Sequence, residues 1–256
     1  MRQITSVLGS VLAIALAMGL ALGGSACSIP EKQYNAPFAC YNAALPSPPE
    51  TVTIRGSVKD PINGRLRVPS ATVEVLQVPS LPFVPAFTTD ADGAFSLTHG
   101  TGTARRDLYF HVTANGYLDS YFFPALPLVG DIDATILLFT SEGVGQLATA
   151  LQQMGVAATP DPAKALLIVS VIDCNGGPVG AAKVKTSSLE GTMVYLDTGV
   201  TPNVSATQTD PTTGSALILN ASPTSLTVDA TVTEMPLRTH SFTAFAGAMT
   251  QTEIQP

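Results

Sequence analysis

At 256 residues the chain has room for two domains once a targeting peptide is set aside. Only 12% of its residues are charged and none is Trp, against 45% hydrophobic, 20 Pro, 21 Gly and 30 Thr; that composition excludes long solvated helices and suits short strands joined by tight turns. A formal charge of -7 and a sequence pI of about 4.8 exclude nucleic acid as a partner, because a polyanion would be repelled.

In chain order, Arg2 supplies one positive charge, residues 7–22 are almost wholly apolar, and Gly23, Gly24, Ser25 and Ala26 precede Cys27. That order predicts a secretory signal over residues 1–26. The apolar run is shorter than a spanning helix requires and no second one follows, so no transmembrane segment is expected in the mature chain. Gly24-Ser25-Ala26-Cys27 resembles the lipobox of bacterial lipoproteins, with Gly24 where that family prefers Leu. The resemblance implies a lipidated Cys27, and two or more acyl chains make a lasting membrane anchor where one does not. Ser28, in place of the Asp used for inner-membrane retention, implies the outer membrane. The alternative is ordinary cleavage after Ala26, with Cys27 free or disulfide-bonded. If Cys27 carries lipid, Cys40 and Cys174 remain as an even pair in an oxidising compartment, where a disulfide is the default and two unpaired thiols the alternative.

Residues 27–50, with five prolines and no apolar periodicity, read as a semi-extended tether lifting the body off the membrane. From Thr51 the pattern becomes period two. Val52, Ile54 and Val58 share one side, Pro61-Ile62-Asn63-Gly64 turns the chain, and residues 71–76 resume the alternation. Residues 89–93 read as a hairpin turn opening a strand at Ala94, followed by strands at 108–114, 121–123 and 134–138. One helix is expected after Ser141, which is placed to cap it, with Val144, Leu147, Leu151 and Met154 at helical spacing before Gly155. Residues 141–165 then form a helical linker, and 166–256 repeat 51–140 in outline. Val58 and Val171 are 113 apart, Val73 and Val184 111, Gly93 and Gly214 121, and Val112 and Val228 116. The expectation is an all-β chain of two tandem β-sandwiches joined by a short helix.

Gly56-Ser57-Val58-Lys59-Asp60, Val68-Pro69-Ser70-Ala71-Thr72-Val73, residues 89–97 and Ala114-Asn115-Gly116-Tyr117 together resemble the carboxypeptidase regulatory-like domain, a transthyretin-like sandwich, with Ser70 where the family has Gly. Residues 171–173, 178–184 and 213–216 are similar to the same unit but lack the closing Gly-Tyr. The resemblance implies architecture rather than catalysis, because such domains ride beside enzymes, receptors and surface proteins.

The chemistry-bearing residues are sparse. His99, His111 and His240 are at no metal-ligand spacing, and neither a nucleophile elbow, a zinc motif nor a P-loop occurs, so no enzyme activity and no cofactor are expected. Asp60, Asp90 and Asp92 offer too few oxygens for calcium and read as turn residues. Asn203-Val204-Ser205 and Asn220-Ala221-Ser222 match glycosylation acceptors by accident. Tyr117, Tyr121, Phe122 and Phe123 form the densest aromatic cluster, read chiefly as core and, in the second reading, as a loop-end platform for a glycan or peptide. The leading expectation is a non-catalytic, lipid-anchored envelope protein, a spacer or interaction module for an envelope protein or glycan.

Overall fold

Period-two burial is visible along β1 (Thr51–Asp60): Val52, Ile54 and Val58 are buried while Thr51 and Arg55 on the other side are exposed. The computed structural model describes residues 37–62, 66–188, 190–198 and 201–256; the leader, Cys27 and the Asn63-Gly64 turn lie outside the described residues. After β1 come β2 (Leu66–Arg67), β3 (Thr72–Gln77), β4 (Leu81–Pro82), β5 (Phe87–Thr88), β6 (Ala94–Gly100), β7 (Leu108–Thr113), β8 (Ser120–Phe123) and β9 (Ile132–Leu137). Helix α1 (Ser141–Gln153) leads to β10 (Ala165–Val171), β11 (Ala182–Thr186), β12 (Thr192–Leu196), β13 (Pro202–Asn203) and β14 (Ser215–Ala221). β15 (Ser225–Val232), β16 (Met235–Pro236), β17 (His240–Thr243) and β18 (Met249–Ile254) complete an all-β sandwich architecture.

The two halves repeat strand by strand. β1 pairs antiparallel with β6 and parallel with β9, as β10 pairs with β14 and β18. β7 lies between β3 and β8, as β15 lies between β11 and β17. The repetition extends to single hydrogen bonds. Val58 N donates to Gly93 O, as Val171 N does to Gly214 O, both at 2.8 Å. Thr89 Oγ1 accepts from Ala71 N and donates to Val68 O, and Thr209 Oγ1 does the same between Ala182 N and Val179 O. Each half therefore locks its turn with one buried hydroxyl that satisfies a donor and an acceptor together.

The turns themselves demand left-handed backbone. Gly93 and Gly214 have φ of 66° and 61°, and a Cβ on Gly214 would meet Val171 O at 2.5 Å. Ser70 and Ala181 occupy a second equivalent pair at φ 56° and 59°, without being glycine. An L side chain in that region is strained, and a glycine there gives back part of the gain as unfolded-state entropy. Ala181→Gly should thus raise the unfolding free energy by about 0.5–1 kcal/mol; a urea midpoint at or below that of the parent chain would contradict this.

Three sheets result. β1, β2, β6 and β9 form one, β11, β15, β16 and β17 another, and a ten-stranded sheet runs β13-β12-β14-β10-β18-β8-β7-β3-β4, with β5 on β3. Each half keeps its own core: Val52, Ile54 and Val58 pack with Val75, Phe110 and Phe122 in the first, and Leu167, Val169 and Ile254 with Val184, Val228 and Phe242 in the second. The halves do not keep separate sheets. β18 lies parallel between β10 and β8, setting Gln251 beside Phe122 and Thr252 beside Phe123. Phe122 belongs to the first core and Phe123 to the second, so the two smaller sheets cover opposite faces of the large one.

Helix α1 covers the rest of the large sheet on the face shared with the first small sheet. Its Val144, Leu147 and Leu151 pack on Leu166, Ile168, Leu217 and Met249, which explains why β10 and β14 are buried on both faces and read as continuous apolar runs. The N-cap is Thr140 rather than Ser141: its side chain accepts from Gly143 N at 3.0 Å, while Ser141 is already helical. Thr140 holds extended backbone at φ -75°, ψ 156°, which leaves its hydroxyl free to reach back over the first turn.

Candidate functional site

The segment after the leader is built into the body. Cys40 and Cys174 form a disulfide with Cα atoms 5.7 Å apart. Around it Cys174 N donates to Pro37 O at 3.0 Å, and Arg238 donates to Pro256 O through Nε and to Ala43 O through Nη2. Further along, Arg105 reaches Leu45 O and Pro46 O, and Thr101 N reaches Glu50 O at 2.9 Å. This corrects the tether reading for residues 37–50. Their prolines leave carbonyls with no ladder to join, and two arginines collect those carbonyls instead.

The four aromatic candidates do not share a surface. Alternation along β8 sends Phe122 into the first core and Tyr121 and Phe123 to the opposite face, against Tyr109 and the second core. Tyr117 packs on the first core and donates its hydroxyl to Asp60 Oδ2 at 3.3 Å. Tyr121 is sandwiched between His111 and Phe245, with ring centroids 4.6 and 3.8 Å away. Burial pushes both tyrosines above their ordinary pKa, helped by Asp60 at Tyr117 and by Asp119 at Tyr121.

The other polar candidates are scattered as well. Asp90 caps its own turn, accepting from Asp92 N and Ala94 N, while Asp60 is buried and accepts from Ile62 N. His111 is held between Glu74 and Asp119, His99 lies edge-on to Phe83, and His240 is placed on β17. Among the described residues no group of three or more His, Cys, Asp or Glu is placed to hold a metal ion.

One concave feature between the halves lies on the part of the large sheet that α1 does not cover. A groove of about 330 Å³ is floored by β18, β10 and β14 and walled by Thr135 and Leu137 of β9. Strand register puts Glu253 beside Ser170 and Ser170 beside Ser215, a polar row on the face that the helix leaves open. One row deeper, Gln251 replaces a strand: its Oε1 accepts from Leu137 N at 2.9 Å while Nε2 donates to Leu137 O and to Ser120 Oγ. The two serine hydroxyls meet each other at 3.0 Å, and that of Ser215 also reaches Thr213 O.

Glu253 is the perturbed group of this groove. Burial raises its pKa to about 7, while a hydrogen bond from the Ala125 backbone pulls the other way. The Ala125 backbone also bonds His240, whose pKa is lowered by burial and raised in part by Asp107. Ala125 follows β8 in the first half, whereas Glu253 and His240 belong to the second. Two ionisable side chains of one half thereby meet the backbone of a single residue of the other.

Sequence reasoning missed Glu253, Gln251, Ser170 and Ser215. Met249-Thr250-Gln251-Thr252-Glu253-Ile254 shows no apolar alternation, although all of its residues but Glu253 are buried. The available signal was position alone: the segment lies near the end of the second repeat, at the place β9 holds in the first.

No family model and no curated protein matches the chain. Chlorocatechol 1,2-dioxygenase from Pseudomonas putida aligns at 12% identity and a TM-score of 0.26, over 35% of this chain and 60% of that one, so the chain spans less than two thirds of the enzyme's length. The Bacillus anthracis TIE protein aligns at 12% identity and a TM-score of 0.28, over 79% of this chain and 33% of that one. The shaft pilin SpaA of Lactobacillus rhamnosus GG aligns at 10% identity and a TM-score of 0.25, over 81% and 97%.

Proposed function

We propose that this is a non-catalytic lipoprotein of the cell envelope, anchored at Cys27 in the outer membrane, that displays two β-sandwiches derived from one carboxypeptidase regulatory-like unit as a spacer or interaction module. The observation that carries the reading is the fastening of the chain just after the lipobox-like Cys27. Within 13 residues of that cysteine the backbone is covalently joined, through Cys40 and Cys174, to the second half of the body. A protein held by its N-terminus transmits any pull from the anchor through this stretch, and here the pull meets a covalent bond and the Arg238 clamp before it reaches β1. The repeated pairings and the twin threonine locks support descent of both sandwiches from one unit.

The reading also sets a reach. Nine residues lie between Cys27 and Pro37, so at roughly 3.5 Å per step the chain between them can extend to no more than about 35 Å. Metabolic labelling with a radioactive fatty acid tests the anchor. The parent chain should take up label and Cys27→Ala should not, and equal label in both would end the proposal.

A further inference from the structure

The repeat shows where the first half lacks a strand that the second has. In the second half the chain leaves β11 and crosses to the facing sheet, where β12 pairs with β14; Val194 lies opposite Leu217 and Thr192 opposite Leu219. In the first half the corresponding segment turns back on β3 as β4 and β5, and among the described residues no strand pairs with the outer edge of β6. At the 121-residue offset of the twin glycines, Ser96 and Thr98 stand where Leu217 and Leu219 stand.

The hydrogen bonds say which backbone groups are left over. Gly93 O accepts from Val58 N of β1 and Thr101 N donates to Glu50 O just before β1, so odd-numbered residues of β6 point toward β1. Ala94 N and O turn the other way and are taken by Asp90. Ser96 and Thr98 share the parity of Ala94, and their N–H and C=O groups face outward with no partner among the described residues. They border a groove of about 820 Å³ between β6 and residues 84–90. Its apolar lining includes Val84, Phe87 and Phe95, and its one carboxylate, Asp90, is already spent on Asp92 N and Ala94 N.

The two sheet edges along this groove are treated differently. The β4–β5 side carries Pro82 and Pro85, which block strand addition, whereas β6 has no proline and no Lys, Arg, Asp or Glu. We propose that the outer edge of β6 takes up an extended, uncharged segment of a partner protein, which adds to the sheet in the place β12 holds in the second half. A second copy of this chain fits less well, because Phe95, the side chain its β6 would offer to the groove, is already buried in its own core. The match of charge also favours a neutral strand, since the wall presents no free ion to pair with one.

β12 defines the ligand's pattern. Tyr195 points into the core of its half, whereas Val194 and Leu196 pack beneath α1. No helix covers β6, where Ser96 and Thr98 are exposed, so the partner needs large side chains at alternate inward positions and polar ones between. The probe is therefore the blocked pentapeptide Thr-Met-Thr-Tyr-Thr, added to the intact chain while amide hydrogen exchange is followed by NMR. The Ser96 and Thr98 amides should exchange fast in the free protein and slow by about tenfold or more with peptide. Thr98→Pro removes only an outward-facing donor, so it should keep the β1–β6 ladder and abolish the protection at Ser96. Unchanged exchange with peptide overturns the proposal, and so does protection that survives in Thr98→Pro. Protection already present without peptide and growing with protein concentration would assign the edge to a second copy instead. The experiment reads nothing from the lipid, so its failure leaves the anchored-display reading standing.

Discussion

Replacing Cys40 and Cys174 together by serine should lower the unfolding free energy by about 5 kcal/mol. The bridge closes a loop of 134 residues, and the chain-entropy relation gives the denatured state a penalty of that size for a loop this long. Marginally stable proteins unfold on losing about 5–15 kcal/mol, so the double variant should be partly unfolded at physiological temperature. The loss should also be local. Pro37 O and Ala43 O are bonded to Cys174 N and Arg238 Nη2, and without the bridge these contacts must hold residues 37–43 alone. Urea denaturation of the parent and double-serine chains measures the first effect, and proteolytic nicking between residues 37 and 50 reads the second. A difference under about 1 kcal/mol would mean that the bridge does not constrain the denatured chain as the relation assumes.

Stability should fall as pH rises from 5 to 8, and Glu253→Gln should remove most of that slope. The folded carboxyl titrates near 7, against 4.5 for an ordinary glutamate. A folded pKa above the unfolded one means that the native state holds the extra proton. The stabilisation is therefore complete below about 4.5 and is lost as pH climbs through 7. At 1.36 kcal/mol per pKa unit, the shift corresponds to about 3 kcal/mol across that window. His240 works with the opposite sign: its folded pKa is depressed, so its contribution is present above the ordinary histidine value and is lost on acidification. Because both side chains bond the backbone of Ala125, each end of the range loosens the same seam, and the parent chain should be most stable at mildly acidic pH. Chemical denaturation at several pH values decides the matter. A Gln variant with the same slope as the parent chain would show that another group carries it.

β1, β3, β6 and β9 of the first half were legible because each has one face that is at least partly wet. Val52, Ile54 and Val58 alternate with polar neighbours, and the Asp90–Gly93 turn carries its own chemistry in a carboxylate cap and a left-handed glycine. The repeat of strand order between the halves was legible in the turns, where equivalent positions keep equivalent residues. The Glu253 groove was hidden. It forms where strands from both halves meet, and no local pattern in Met249–Ile254 says that its two flanks are β10 and β8. The fate of residues 37–50 was equally obscure: a proline-rich run looks like a free tether until two arginines, one of them almost two hundred residues away, take its carbonyls.

Local order along the chain therefore determined most of the strands, where the helix lies and that the strand pattern of the first half recurs in the second, because burial of alternate side chains and turn geometry act over a few residues. Tertiary structure alone decided that the halves share a sheet, that their smaller sheets cover opposite faces of it, and that β6 keeps an open edge where β14 has none. Pairing between distant edges depends on which backbone groups remain unsatisfied after every local choice has been made, and that sum is taken over the whole fold.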